Sequence, residues 1–305
     1  MAAPRNDFVA PTRDGVGASC IVLPAGDFKF LIDFLAQQFP AIGRTAWHLR
    51  MVHGDVLDAS GVALGPDTRY QTQTKIFYYR SLPFEAPIPF EATIVFQDDY
   101  LIVADKPHFL PVIPAGRYLQ QTLLVRLKRQ LGIDTLAPVH RIDRETAGLV
   151  LFTIAPKTRA AYQALFRERR VVKHYEAIAC HAPALRFPLV LRNRLEDAES
   201  FMQMRVVDGM PNAETTVNVL ALQGDMARYG LRPSTGQRHQ LRVQMAALGL
   251  PILHDKIYPQ LLPEAAIDAA PDYSKPLQLL AKSLEFVDPV SGRLRRFESR
   301  LQLEF

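Results

Sequence analysis

Three prolines within seven positions, Pro83, Pro87 and Pro89, interrupt this chain of 305 residues. Each proline sets its own φ, removes a backbone donor and biases the residue before it away from helix. Neither a helix nor an interior strand runs through such a segment, so it reads as a linker. It separates a short leading part from a longer part beginning near residue 90. Each part must then bury a core of its own, and both are long enough for that.

The leading part divides again. Residues 1–26 are rich in Pro, Gly, Asp and Arg and read as an irregular lead-in. From 27 to 82, Phe28, Leu31, Ile32 and Leu35 recur at helical spacing, as do Ile42, Ala46 and Leu49, which predicts two short helices. Gly54-Asp55-Val56-Leu57 and Ile76-Phe77-Tyr78-Tyr79 then read as a turn and two small strands.

In the longer part, residues 90–305, strands and helices mix. Thr93–Phe96 and Leu101–Ala104 flank Asp98-Asp99, a hairpin pattern. Leu123, Leu124, Leu127 and Leu131 mark a helix that Gly132 ends. Leu149–Phe152 reads as a buried strand, 156–170 as a helix, and 171–179 and 215–222 as long strands. A helix is expected over 236–248, with Ser234 or Thr235 as N-cap and Gly249 closing it. There is no regular βαβ alternation, so the expected class is α+β with a mixed, mostly antiparallel sheet.

Composition narrows the function classes. Hydrophobic residues make up 48% and charged residues 22%, as in ordinary globular proteins. No run of 18 apolar residues occurs, and the amino terminus has no secretory pattern. Cys20 and Cys180 are too few and too far apart for a disulfide framework or a metal site. His140, His174, His181, His239 and His254 show no paired metal-ligand spacing. These features point to a reduced, cytoplasmic protein with no membrane association. The net charge of +5 permits a nucleic-acid partner without requiring one. Its distribution says more: Arg159, Arg167, Arg169, Arg170, Lys173 and His174 crowd one stretch, and Arg232, Arg238 and Arg242 another. Either could also be a solvated basic face.

The chemistry-bearing segment is His140-Arg141-Ile142-Asp143-Arg144-Glu145-Thr146-Ala147-Gly148. Asp143 stands between two arginines, whose guanidinium groups favour an ionised carboxylate. A nucleophile or electrostatic stabiliser needs that state, whereas a general acid needs the reverse. A turn aspartate in a surface salt bridge would look the same locally. A second segment, Arg232 to Val243, places Arg238 and Arg242 four apart, on one face if the helix forms. Arg242 adjoins the apolar stripe Leu241, Met245 and Leu248. A buried guanidinium requires a carboxylate, and Asp143 is a candidate.

Taken together, these segments resemble the RluA-type RNA pseudouridine synthases, a family of ribosomal and transfer RNA enzymes built around a His-Arg-Leu-Asp motif. Asp98 to Pro107 is similar to the family's opening strand pair and Lys-Pro turn, and 140–149 to its catalytic loop. Val171 to Ala177 resembles its Lys-x-Tyr-x-Ala strand, Arg232 to Val243 its Thr-Gly-Arg-x-His-Gln-Leu-Arg-Val segment, and Pro251 to Tyr258 its Pro-Ile-x-Gly-Asp-x-x-Tyr turn. The module at 27–82 resembles an S4-type RNA-binding domain, through Phe34-Leu35, the Arg44 to Arg50 helix and Val52 to Val56.

The resemblance implies a pseudouridine synthase fold, an RNA partner, a monomeric enzyme and no cofactor. It implies catalytic roles for Asp143, Tyr175 and Arg242: Asp143 acts on the target uridine, Arg242 pairs with it, and Tyr175 packs on the base. Substrate contacts are expected from Lys106, His140, Arg141, Arg238 and His239, with Arg141 filling the space left by a flipped nucleotide. The chain departs from the family at Ala147, Gln237, Gln244, His254 and Leu280, where serine, arginine, histidine, glycine and histidine are common. Two other readings stay open. A glycoside hydrolase would need a second carboxylate, for which Glu145 is the candidate. A catalytically silent RNA-binding protein would not need Asp143 at all.

Overall fold

The computed structural model describes residues 8, 10–82, 84–263 and 271–305. Pro83 and the first seven residues of the lead-in lie outside the described residues, as does Val9. The chain forms two compact units: Met1–Glu85 with Gly116–Gln120, and Ala86–Ala115 with Gln121–Phe305.

The first unit is built from β1 (Ser19–Val22), α1 (Leu31–Gln38), α2 (Arg44–Val52), β2 (Val56–Leu57) and β3 (Lys75–Tyr78). Its antiparallel sheet has the order β1-β3-β2. The expected irregular lead-in therefore includes a strand: Ile21 and Val22 are β-branched, and β1 supplies an edge to β3. In α1, Asp33 accepts from the Phe30 backbone N–H at 3.2 Å, satisfying one donor of the first turn. The buried face of α2 is Trp47, Arg50 and Met51, not the expected Ile42, Ala46 and Leu49; Leu49 is half exposed. Trp47 is the largest apolar group available and displaces that register, packing edge-on to Tyr78 and against Phe39. Residues 116–120 belong with this unit, where Glu85 accepts from the backbone N–H groups of Leu119 and Gln120 at 2.8 and 2.9 Å.

The second unit continues with β4 (Thr93–Gln97), β5 (Leu101–Lys106), α3 (Leu123–Leu131), β6 (Ala137–Pro138), β7 (Ala147–Thr153), α4 (Pro156–Arg167) and β8 (Val172–Cys180). It is completed by β9 (Leu189–Asp197), β10 (Met204–Val207), β11 (Ala213–Gln223), β12 (Met226–Pro233), α5 (Gln240–Ala247), β13 (Leu279–Val287) and β14 (Leu294–Glu298). The sheet runs β10-β9-β11-β12-β8-β13-β7-β5-β4, with β14 beside β13 and β6 beside β7. Its one parallel pairing among the described residues is β13 with β7, so the expected mixed, mostly antiparallel α+β class is what forms.

That parallel pairing positions the site. Both β5 and β7 are buried along their whole length, with Tyr162 and Leu165 of α4 packed against them. At the start of β7, Gly148 has φ of 109°, and a Cβ there would lie 2.3 Å from the Ala281 carbonyl oxygen of β13. Only glycine permits this approach. α3 ends as expected, on Gly132 in the left-handed region.

Two helix boundaries differ from expectation. α4 stops at Arg167, three residues early, because Arg169 adopts φ of 57° and the chain turns into buried Val171. α5 begins at Gln240, four residues late, with His239 in the left-handed region as its N-cap residue. Thr235 cannot cap it, because its hydroxyl is engaged by the Glu214 backbone N–H at 2.9 Å and by Gln240 Oε1 at 2.8 Å. Arg238 therefore lies in the preceding loop, and it does not share a helix face with Arg242.

Candidate active site

The loop from β6 to β7 carries Asp143 and is pinned at both flanks. Val139 donates its N–H to Leu151 O at 2.8 Å, and His140 Nε2 accepts the Leu151 N–H at 3.2 Å. The His140 ring stacks on Phe166 with centroids 4.3 Å apart. Burial, and then the nearby Lys173 ammonium, push the ring's pKa down to about 3, so it stays neutral and can accept that bond. His140, expected to contact substrate, thus uses one ring nitrogen to hold a strand. Lys106 is likewise turned inward. It is fully buried, and its ammonium donates to Pro107 O at 2.9 Å and to Arg144 O at 3.0 Å. Burial pushes its pKa down to about 7, with Glu145 and Asp143 pulling the other way. His108 Nδ1 lies 2.7 Å from Glu145 O and carries the proton between them. Lys106 and His108 thus tie the segment around Asp143 through the backbone carbonyls of Pro107, Arg144 and Glu145.

Asp143 itself is 30% exposed. Arg242 Nη1 donates to Asp143 Oδ2 at 3.1 Å, and the guanidinium is only 2% exposed. Its remaining edge is taken bidentately by Asp255, Nε to Oδ2 at 2.8 Å and Nη2 to Oδ1 at 2.6 Å. Burial works against the arginine's charge, but Asp255 and then Asp143 more than compensate and raise its pKa. Asp255 is fully buried and also accepts the backbone N–H groups of Ile257 and Tyr258 at 2.8 and 3.0 Å. The arginines adjacent in sequence do not hold Asp143. Arg144 pairs with Glu145, Nε to Oε1 at 2.8 Å, and the Arg141 side chain extends to solvent. The long-range partner Arg242 replaces both.

Around this pair lies a cavity of about 680 Å³, in the range of small-ligand sites. Tyr175 on β8 lines it; burial, and then the Asp143 charge, raise the phenol's pKa, so it keeps its proton. His239 lines it too, with Nε2 3.8 Å from Asp143 Oδ1 and Nδ1 3.2 Å from the Tyr258 hydroxyl; burial lowers its pKa. Lys173 donates to Thr235 O at 2.5 Å, which fixes the loop before α5. Arg238 contributes to the wall, but its guanidinium is engaged by Phe201 O, Gln203 O and Asp197 at 2.8–3.0 Å. Asp143 is the one carboxylate among the described residues that line the cavity, so Glu145 does not supply the second carboxylate that a glycoside hydrolase requires. Among the described residues no group of three His, Cys, Asp or Glu side chains could hold a metal ion, and no helix is long and apolar enough to cross a membrane.

The sequence motifs assign no role to Asp255, Tyr258, Lys173 or Gln240. Gln240 clamps the loop before α5: its amide donates to Glu214 O at 3.1 Å and Thr215 Oγ1 at 3.0 Å, while its oxygen accepts from Gln237 N–H at 3.0 Å. The Pro251 to Tyr258 turn was the available signal for Asp255 and Tyr258. Two of the departures acquire a reason. His254 has φ of 64°, the region where glycine is most at ease, and it is held by Pro276 O at 3.1 Å from Nδ1. Gln244 is buried, bonding Thr215 at 2.7 Å and Asn193 at 3.0 Å.

A buried arginine thus fixes the one carboxylate that the described residues bring to the cavity. The family model described as RNA pseudouridylate synthase matches residues 100–247, which include Asp143, Tyr175 and Arg242. The dual-specificity RNA pseudouridine synthase RluA of Haemophilus influenzae is 31% identical over 223 residues, covering 72% of this chain and 97% of its own length. Its counterpart of the same name in Salmonella typhimurium is 33% identical over 218 residues, covering 70% and 95%. The solved structure of human RNA pseudouridylate synthase domain containing 4 is similar at a TM-score of 0.53 and 28% identity, over 68% of this chain and 88% of that one. This chain belongs to the RluA-type family of RNA pseudouridine synthases. Its reaction class is isomerisation.

Proposed function

We propose that this pseudouridine synthase acts on a uridine in ribosomal or transfer RNA, with Asp143 as the carboxylate that engages the target ribose. The observation that carries this is the tether: Asp143 is the cavity's one carboxylate among the described residues, Arg242 holds its Oδ2, and its Oδ1 lies 3.8 Å from His239 Nε2. The names of the Haemophilus and Salmonella relatives support RNA as substrate. In the reaction the N1–C1′ bond breaks, uracil turns, C5 bonds to C1′, and the C5 proton is lost as N1 gains one. Atoms balance without a co-reactant. Two first steps fit a fixed carboxylate: attack on C1′, or removal of the C2′ proton to give a glycal. Tyr175, protonated and facing the same cavity, packs against the base. Arg141, solvent-exposed on the same loop, fills the space the extruded nucleotide leaves. Extrusion costs a few kcal/mol, least in an RNA loop.

The first unit serves RNA binding in this reading, as an S4-like module of two helices on a small antiparallel sheet. Asp143→Asn keeps the side chain's size and removes its charge. Pseudouridine formation on unmodified ribosomal and transfer RNA should fall by at least about 10³-fold, the scale of losing a group that acts only in the transition state. RNA affinity should stay within about 3-fold, because phosphate contacts dominate it. Turnover of Asp143→Asn near the wild-type rate would overturn the assignment.

A further inference from the structure

Six cationic side chains line the cavity against one carboxylate: Arg141, Arg144, Arg169, Lys173, Arg238 and Arg242. Four are engaged within the protein. Arg242 holds Asp143 and Asp255, Arg144 holds Glu145, Arg238 holds Asp197, and Lys173 holds Thr235 O. Among the described residues the side chains of Arg141 and Arg169 make neither a hydrogen bond nor an ion pair.

Arg169 is also placed at a conformational cost. α4 closes with Arg170 N–H on Leu165 O at 2.7 Å and Arg169 N–H on Phe166 O at 3.2 Å, which puts Arg169 at the left-handed position just past the helix end. Glycine is the default there, because a Cβ is strained at φ of 57°. The neighbouring arginines behave differently: Arg167 and Arg170 both pair with Glu168, away from the cavity lining. The Arg169 charge acts on Lys173, a like charge, and on Glu214, which is bonded to Arg192 and Ser234. A strained residue that brings an unpaired cation to the rim of a basic cavity marks a binding site for an anion.

We propose that Arg169 binds a backbone phosphate of the substrate RNA next to the target nucleotide, through its left-handed placement at the end of α4. The proposal rests on the reading of this cavity as the RNA site. An alternative role, neutralising the carbonyl end of α4, would need the charge but no ligand.

The test compares Arg169→Gln, Arg169→Gly and Arg167→Gln with the wild-type protein, measuring single-stranded RNA binding across a salt series together with kcat and KM. Both Arg169 variants should weaken binding on the order of 5- to 10-fold. They should also flatten the plot of log affinity against log salt by about 0.7, the value of one lost phosphate contact. KM should rise while kcat changes little, as for a contact made equally in ground and transition states. Arg167→Gln should match wild type. Arg169→Gly relieves the left-handed strain and should melt no lower than wild type, separating binding from folding. An unchanged salt slope in both Arg169 variants would overturn the proposal, leaving Arg169 a helix-end charge only. Failure of the wider reading would look different: wild type itself would form no pseudouridine, whatever the salt slopes.

Discussion

Arg242 carries more of this site than any other residue, because two carboxylates depend on one guanidinium. Its side chain is 2% exposed, and Asp255 is not exposed at all. Desolvating such a group is costly, and the geometry compensates by using three of its N–H donors on charged acceptors. Arg242→Ala would leave a fully buried Asp255 without a counter-ion. Breaking a buried pair this way costs about 3–5 kcal/mol. The urea midpoint of Arg242→Ala should therefore drop sharply along with activity, and a midpoint equal to wild type would mean that Asp255 is not held as described. Lys106 shows the same economy at a smaller scale. Its charge never reaches the cavity; it ties the carbonyl of Arg144, the residue after Asp143.

At the scale of elements, the site depends on where β7 and β13 meet. Leu280 faces Ala147 and Ala281 faces Gly148 across the one parallel pairing, and all of these positions but Gly148 carry buried side chains. The two departures at Ala147 and Leu280 are thus neighbours, two apolar residues filling one seam. Gly148→Ala would drive a Cβ into the Ala281 backbone at a φ that non-glycine residues avoid. The neighbour is backbone and cannot rotate aside, so the whole pairing must open. A loss of about 2–4 kcal/mol in denaturant unfolding is expected, with the Asp143 loop displaced. Stability within about 0.5 kcal/mol of wild type, the range of an ordinary surface change, would show that the seam is softer than its geometry. The loop before α5 is the other decisive element. Thr235 and Gln240 spend their side chains on β11, which shortens the expected helix and turns His239 into the cavity.

At the scale of the whole molecule, burial of ionisable groups sets how stability follows pH. His140 has a folded pKa of about 3 against an ordinary 6.5, and burial also lowers His108 and His239. Between those values the unfolded chain binds more protons than the folded one, so stability rises with pH across that window and is lost on acidification. Lys106, lowered from 10.5 to about 7, acts in the same sense between those two values. The melting temperature should accordingly fall from pH 6.5 toward pH 4, and His140→Gln should make that fall shallower; equal slopes would remove His140 from the account. Much of this architecture was legible in the sequence, since local signals are short-ranged: the hairpin turn at Asp98-Asp99, Gly132 as a helix stop, and the buried strand after Gly148. The ordered motifs also single out Asp143, Tyr175 and Arg242, which the fold brings to one cavity. Tertiary structure alone decided what each side chain does once there. Whether Asp143 is held by its neighbours or by a residue 99 positions away depends on which donors the packed sheet brings near. Whether Lys106 and His140 reach substrate or strand depends on burial, and where α5 starts depends on a strand that competes for its cap. Periodicity reports which faces are apolar; it carries no information on which polar groups are left unpaired when those faces meet, and in this enzyme that remainder is the site.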